Sequence, residues 1–366
     1  MNKRILVLCT TDSMIYNFLI PHIRDLQLAG NQVFCACSQT GKYYDYLVEK
    51  YGLNVERIDF ERNPYNLYNI KAYGQLQKLI SNKGIDVIFC HEPVGGAMGR
   101  VVGHMHHCKV VYMVHGFHFY KGASKKTIVY YWVEKCLSHY TDVLITINQE
   151  DYEAAKLFSA KRVVKTNGIG VDTSRFVFCP NKQYLRDALK LKTDTILLLS
   201  VGELIERKNH KTVIRAMKNL PVNYHYILVG EGTLEKKLQS LIVEENLEDR
   251  VHLLGYRDDI VQLCNSADVF IMPSYQEGLS VALMEAMACG MPVVASRIRG
   301  NIDLIDENKG GYLVDTEDDL GYADAIIAIT CKNKGMIFGD YNRKRVKEFS
   351  LDTVRCQICS IFQEIV

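Results

Sequence analysis

The chain has 366 residues, of which 48% are apolar, 23% charged and only 7 proline, which excludes a single small domain and the disordered and collagen-like classes. Its 44 basic and 42 acidic side chains leave a formal charge of +2, which excludes a nucleic-acid binder that works by bulk charge. The apolar start, Ile5 to Cys9, is too short for a signal sequence, and no run reaches the roughly 18 to 20 apolar residues that cross a bilayer. The 12 cysteines are therefore expected as reduced thiols of a cytoplasmic protein whose membrane contact is peripheral.

Short β-branched runs alternate with helical patterns from the start of the chain. Ile5 to Cys9, Gln32 to Ala36, Val87 to Cys90, Lys109 to Val114 and Val143 to Thr146 read as buried strands. Between them, Ile15 to Ala29 is closed by Gly30 and Tyr43 to Tyr51 by Gly52, the pattern of helices with glycine stops. The alternation breaks at Asn167 to Pro180, then resumes with Thr195 to Val201, Tyr224 to Val229, Val251 to Leu254, Val269 to Met272 and Pro292 to Ala295. This is the signature of α/β architecture with parallel sheets covered on both faces, repeated in two Rossmann-like domains over 1–176 and 177–350, with a last helix over 351–366. Residues 1–176 carry 21 basic and 15 acidic groups and the remainder 23 and 27, so the halves are +6 and −4. The positive first half suits either an anionic lipid surface or a diphosphate-bearing acceptor, or is incidental.

Doubly wound sheets bind ligands beyond the carboxyl ends of their strands. Three such places carry unusual residues. Val114 to Tyr120 (VHGFHFY) puts His115 at a strand end before a glycine, as a hydrogen-bond donor, a proton carrier or a structural residue. Val201 to Asn209 (VGELIERKN) puts Arg207 and Lys208 at a helix start, either as a clamp for a diphosphate or as solvated surface charges. Ser274 to Ser280 (SYQEGLS) leads into an apolar helix, Val281 to Cys289, whose entrance offers backbone N–H groups and a dipole to a phosphate. That helix carries one carboxylate, Glu285, which needs a basic partner or ligand hydroxyls; Glu277 lies in the loop before it. No P-loop and no well-placed G-x-G-x-x-G occurs, and His104, His106 and His107 lack the companions of a metal site, so no metal is expected.

Taken together, VHGFHFYKG, VGELIERKNH and EGLSVALME followed by ACGMPVVAS resemble the family-4 retaining nucleotide-sugar glycosyltransferases of GT-B fold, especially bacterial enzymes of capsule, exopolysaccharide and lipid-linked glycan assembly. The most specific element is Glu277, seven residues, then Glu285. The resemblance covers essentially the whole chain and implies two Rossmann-like domains facing a cleft, with the last helix crossing back to the first domain. It implies a UDP-sugar donor, no further cofactor, transfer of a hexose or N-acetylhexosamine, a polyprenyl-diphosphate-linked saccharide acceptor, and work at the inner face of the cytoplasmic membrane.

By resemblance, Glu285 binds the ribose hydroxyls and Glu277 the transferred sugar. Gly278, Leu279 and Ser280 present N–H groups, Gly202 lines the diphosphate, and Arg207 and Lys208 neutralise it. Gly255, Tyr256 and Arg257 approach the base, while His115 contacts the donor sugar; His115, Glu277 and Lys208 are the catalytic group. Asp12, Ser13 and Arg62 are acceptor-side candidates. The sequence departs from the family at Glu203, where many members place arginine, and at Thr11-Asp12-Ser13, where a glycine pair is frequent. Tyrosines 43, 44, 46, 51, 65, 68 and 73, with Lys71, Lys78 and Lys83, suggest a membrane-facing side or ordinary half-buried rings. The competing readings are a nucleotide-sugar epimerase of the same fold and a non-catalytic partner subunit of a transferase.

Overall fold

A computed structural model describes residues 2–41, 43–331 and 333–365. Two compact units are present, one running to Ile169 and taking in the chain from Asp352 onward, the other spanning Gly170 to Leu351. The division falls a few residues before the expected boundary at 176. Val171 N–H donates to Phe349 O and Leu351 N–H to Val171 O, so the segment after Gly170 is already tied to the second unit.

The first unit has a seven-stranded sheet made of β1 (Arg4–Thr11), β2 (Gln32–Ser38), β3 (Val55–Arg57), β4 (Val87–His91), β5 (Lys109–Met113), β6 (Val143–Thr146) and β7 (Arg162–Lys165). All pairs are parallel, in the order β3-β2-β1-β4-β5-β6-β7. The central strands are buried on both faces, as runs such as ILVLC require. The expected helix Ile15 to Ala29 is interrupted: a π-turn covers Ile15–Leu19, and a regular helix follows over Ile20–Leu28 with Pro21 in its first turn, where a missing N–H costs nothing.

The helix Pro93–Met105 lies unusually close to the sheet because glycines face it. A Cβ on Gly96 would stand 2.3 Å from the Tyr112 ring, one on Gly99 2.8 Å from Cys90 Cβ, and one on Gly103 2.6 Å from Val110 Cγ2. The helix Leu351–Ile365 belongs to this unit, burying Val354, Ile358, Ile361 and Phe362; Val366 lies outside the described residues. Its Phe362 ring meets Phe89 edge to face at 5.1 Å, and Arg355 pairs with Asp25 at 2.5 Å.

The second unit has six parallel strands: β8 (Ile196–Val201), β9 (Tyr224–Val229), β10 (Val251–Leu253), β11 (Val269–Met272), β12 (Val293–Ser296) and β13 (Gly311–Val314). Their order is β10-β9-β8-β11-β12-β13. The twelve cysteines are all free thiols. Among the described residues, no helix is long and apolar enough to cross a membrane. Because the glycine face leaves no room for added methyls, Gly103→Val is expected to destabilise the first unit by about 1–3 kcal/mol, seen as a lower midpoint in chemical unfolding while Gly74→Ala, with open space around it, shows no such loss.

Candidate active site

In the second unit the candidate side chains gather at the carboxyl edge of the sheet. After β8 the chain makes one 3₁₀ turn, Glu206–Lys208, and then Asn209 takes a left-handed conformation with φ 52° before the helix His210–Ala216. Asn209 is buried, and its Nδ2 donates to Pro273 O at 3.1 Å and Thr316 O at 2.7 Å, tying this turn to the loops after β11 and β13. Tyr275 N–H donates to Arg207 O at 2.8 Å, a second tie. Arg207 and Lys208 are thereby brought to Glu277: Lys208 Nζ lies 2.7 Å and Arg207 Nη1 3.1 Å from the same oxygen, Oε1. Arg207 also donates to Gln276 O at 2.8 Å. Gly202 is needed here, since a Cβ would stand 3.2 Å from Lys208 Cε.

Glu277 is 9% exposed. Burial pushes its carboxyl up, but the Lys208 ammonium and Arg207 guanidinium outweigh burial and hold it below its ordinary value. Two cations on one carboxylate leave a local charge of +1, on a loop leading to a helix N-terminus. Arg299, a buried residue that no sequence motif singles out, donates from Nε to Glu277 O at 3.3 Å. The turn carrying it packs on the same loop, for a Cβ on Gly300 would lie 2.3 Å from Gly278 O. Leu279 and Ser280 are buried, and Ser280 Oγ caps the helix Val281–Ala288 by accepting from Leu283 N–H at 3.3 Å.

Glu285 sits one helical turn inside, partly buried, and its carboxylate makes no hydrogen bond or ion pair among the described residues. Burial pushes its carboxyl up to about 7, with Arg175 pulling the other way from a distance. Of the two expected partners for this carboxylate, then, the structure supplies no close basic one. Tyr256 is exposed, while Arg257 is held by Asp259 at 2.5 Å and also reaches Tyr184 Oη at 3.4 Å. Glu203, at the departure from the family pattern, is exposed to solvent.

In the first unit, His115 follows β5 and its Nε2 lies 3.0 Å from His91 Nδ1, the rings stacked at 5.3 Å. Burial, reinforced by His22, pushes His115 down to about 4, so both imidazoles are neutral at physiological pH. With Glu92, Tyr112, His118, Tyr130 and Glu134, His115 lines a pocket of about 190 Å³.

Glu92 likewise belongs to no motif of the sequence. It sits at φ 60°, ψ 160°, a conformation that non-glycine residues avoid. Its carboxylate accepts from Thr10 N–H at 2.8 Å and Thr11 N–H at 3.2 Å. Asp12 is wholly buried, accepting from Thr40 Oγ1 at 2.5 Å, Tyr44 N–H at 3.1 Å and Ser13 N–H at 2.9 Å, so its carboxylate holds the loop together. Ser13 Oγ donates to Thr11 Oγ1 at 3.1 Å, and Arg62 is exposed.

The model of glycosyl transferases group 1 matches residues 181–345, and that of glycosyl transferase 4-like proteins matches residues 4–148. A Bacillus subtilis (strain 168) protein that carries the name of a glycosyltransferase, EpsD, is 35% identical over 334 residues, covering 88% of this chain and 86% of that one. The UDP-Gal:alpha-D-GlcNAc-diphosphoundecaprenol alpha-1,3-galactosyltransferase of Escherichia coli is 29% identical over 326 residues, 84% of this chain and 83% of its own. Among solved structures, Anabaena HepE in complex with UDP and glucose superposes with a TM-score of 0.83 at 20% identity, over 99% of this chain and 100% of that one. Sucrose-phosphate synthase from Thermosynechococcus elongatus gives 0.83 at 20% identity, over 100% and 99%.

The raised Glu285 carboxyl makes stability depend on pH. A carboxyl whose folded value lies above its unfolded one favours the fold below pH ~4.5, and that contribution is lost as pH rises to about 7. Glu285→Gln is expected to match wild type near pH 4 and to exceed it progressively up to pH ~7, by at most about 3 kcal/mol, in unfolding followed across pH without ligand.

Proposed function

The chain belongs to the glycosyl transferases group 1 family, with the GT-B fold, and on that premise we propose that it moves a hexose or N-acetylhexosamine from a UDP-sugar to a polyprenyl-diphosphate-linked saccharide, with retention and without a metal. Its place among glycosyltransferases of polysaccharide biosynthesis follows from the relatives; donor, acceptor and stereochemistry are our reading. The observation that carries it is the pair of cations, Lys208 and Arg207, fixed on one oxygen of Glu277 beside a helix entrance.

When the bond between the anomeric carbon and the diphosphate oxygen breaks, negative charge grows on the departing diphosphate. Lys208 and Arg207 meet that charge already positioned by Asn209 and Glu277, so little reorganisation is needed. The N–H groups of Gly278, Leu279 and Ser280 and the helix dipole add to the same field. The acceptor hydroxyl attacks from the face the diphosphate leaves, and its proton passes to the departing phosphate oxygen. Glu277, kept ionised, orients the sugar through its hydroxyls, and Glu285 accepts from the ribose hydroxyls. Tyr256 and Arg257 approach the base. His115, neutral, hydrogen-bonds a ligand hydroxyl and carries no charge to the reaction. Ser13 and Arg62 meet the acceptor, and Asp12 shapes the loop they belong to. We place the protein at the inner face of the cytoplasmic membrane, held peripherally.

Lys208→Ala and Glu285→Ala are each expected to lower transfer from a UDP-sugar by one to three orders of magnitude, about 1.4 kcal/mol per order. UDP is expected to raise the melting temperature of wild type more than GDP or ADP, with the shift lost in Glu285→Ala. Wild-type rates in both variants would remove the assignment of this site, and an equal response to all three nucleotides would remove the uridine donor.

A further inference from the structure

The helix Ile128–Leu137 (IVYYWVEKCL) has no buried residue, although it is among the most apolar segments of the chain. Its two faces are inverted relative to an ordinary surface helix. Tyr130, Tyr131 and Glu134 turn inward: Tyr131 packs edge-on to Phe119 and Phe158, and Glu134 pairs with Arg100 at 2.7 Å and accepts from Tyr112 Oη at 3.2 Å. Ile128, Val129, Trp132 and Val133, spaced i, i+1, i+4 and i+5, are 54, 52, 56 and 44% exposed. An apolar stripe of this kind on a surface marks something that covers it.

The surrounding charge says what. Lys121, Lys125 and Lys126 precede the helix and Lys135 lies on it, and none forms an ion pair among the described residues. The ammonium of Lys135 lies 5.3 Å from the Trp132 ring centre. The nearby carboxylates are used internally, Glu134 on Arg100 and Glu150 on the Lys121 N–H at 2.7 Å. The stripe is thus framed by four lysines, with Glu150 the one half-buried carboxylate on the adjoining groove, so the frame is predominantly cationic. A second copy of this chain would bring the same lysines against each other, whereas a lipid surface with anionic headgroups offers acyl chains to the stripe and phosphates to its frame. Beside the stripe, Phe119, Ile128 and Tyr131, with Lys121 and Lys125, wall an open groove of about 340 Å³.

We propose that the outer face of the helix Ile128–Leu137, with Lys121, Lys125, Lys126 and Lys135, is the surface by which this protein docks on an anionic lipid bilayer. This rests on the peripheral membrane reading above and moves it away from the tyrosine-rich stretch 43–83. There, Tyr43, Tyr46 and Tyr51 gather on Tyr16 at 4.4 to 6.2 Å, and Tyr44 Oη donates to Val55 O. Lys71 pairs with Asp59 at 2.8 Å and Lys83 with Glu56 at 2.9 Å. The docking helix also lines, through Tyr130 and Glu134, the pocket that holds His115 and Glu92. Docking by the outer face therefore sets that pocket at the bilayer surface, where a lipid-linked acceptor presents its sugar.

Cosedimentation with phosphatidylcholine vesicles, with and without phosphatidylglycerol, tests this. Wild type is expected to bind only the phosphatidylglycerol vesicles, and less so at high salt. Each lysine near the surface contributes about a fivefold factor, so Lys125→Glu with Lys126→Glu should lower binding at least tenfold, as should Ile128→Ser with Trp132→Ser. Lys71→Glu with Lys83→Glu should leave it unchanged. Binding that survives both helix variants, binding lost in the 71/83 variant, or a wild type indifferent to phosphatidylglycerol would overturn the proposal. So would a helix variant that changes the oligomeric state in sedimentation velocity and not vesicle binding. The UDP-induced melting shift, read on every variant, reports folding and the donor site separately, so failure of the docking surface is distinguishable from failure of the glycosyltransferase assignment.

Discussion

Parallel strands cannot be joined by tight hairpins, so each must be re-entered from its far end by a crossover. Both sheets obey this throughout. In each, every strand therefore points its carboxyl end to one edge, and residues far apart in sequence meet there without any direct attraction between them. Lys208 after β8, Glu277 after β11 and Arg299 after β12 are neighbours in the second unit for this reason. Glu92 after β4 and His115 after β5 share a pocket in the first for the same one. What the side chains add is precision: Asn209, bonded to two other loops, converts a general convergence into fixed distances.

Within that frame, two carboxylates of one loop–helix segment have opposite fates. Glu277 has two cations on a single oxygen and stays ionised despite burial. Glu285 is also withdrawn from water, has only the distant Arg175, and sits near neutrality. The first is a finished electrostatic unit that can hold a neighbouring anion's field steady. The second has unspent hydrogen-bonding capacity, which suits a group meant to be completed by hydroxyls.

The central strands were legible because burial on both faces demands unbroken apolar runs, as in ILVLC and VVAS. The edge strands β3 (VER) and β7 (RVVK) were not, since an edge strand needs only a residue or two inside. Gly311–Val314 escaped as well, being four residues long and opening on a glycine. A carboxylate in an apolar helix announces Glu285, and a basic pair at a helix start announces Arg207 and Lys208. Arg299, Arg175 and Glu92 carry no such pattern; only the fold brings Arg299 to the Glu277 carbonyl and turns Glu92 onto the carboxyl end of β1. The tyrosines near residue 43 read equally as a membrane-facing side or as half-buried rings, because no pattern in the sequence brings Tyr16 among Tyr43, Tyr46 and Tyr51. The helix Ile128–Leu137 is apolar on both faces, so periodicity could not say which one is covered by protein.

The helix Leu351–Ile365 fills the first unit with Val354, Ile358, Ile361 and Phe362, sets Phe362 against Phe89 of β4, and anchors Arg355 on Asp25. A ribosome makes the first unit's seven strands early and this helix after the whole second unit. Throughout that interval the nascent first unit has a face whose permanent cover does not yet exist. The chain is thus obliged to complete its first unit with residues made only after the whole second unit.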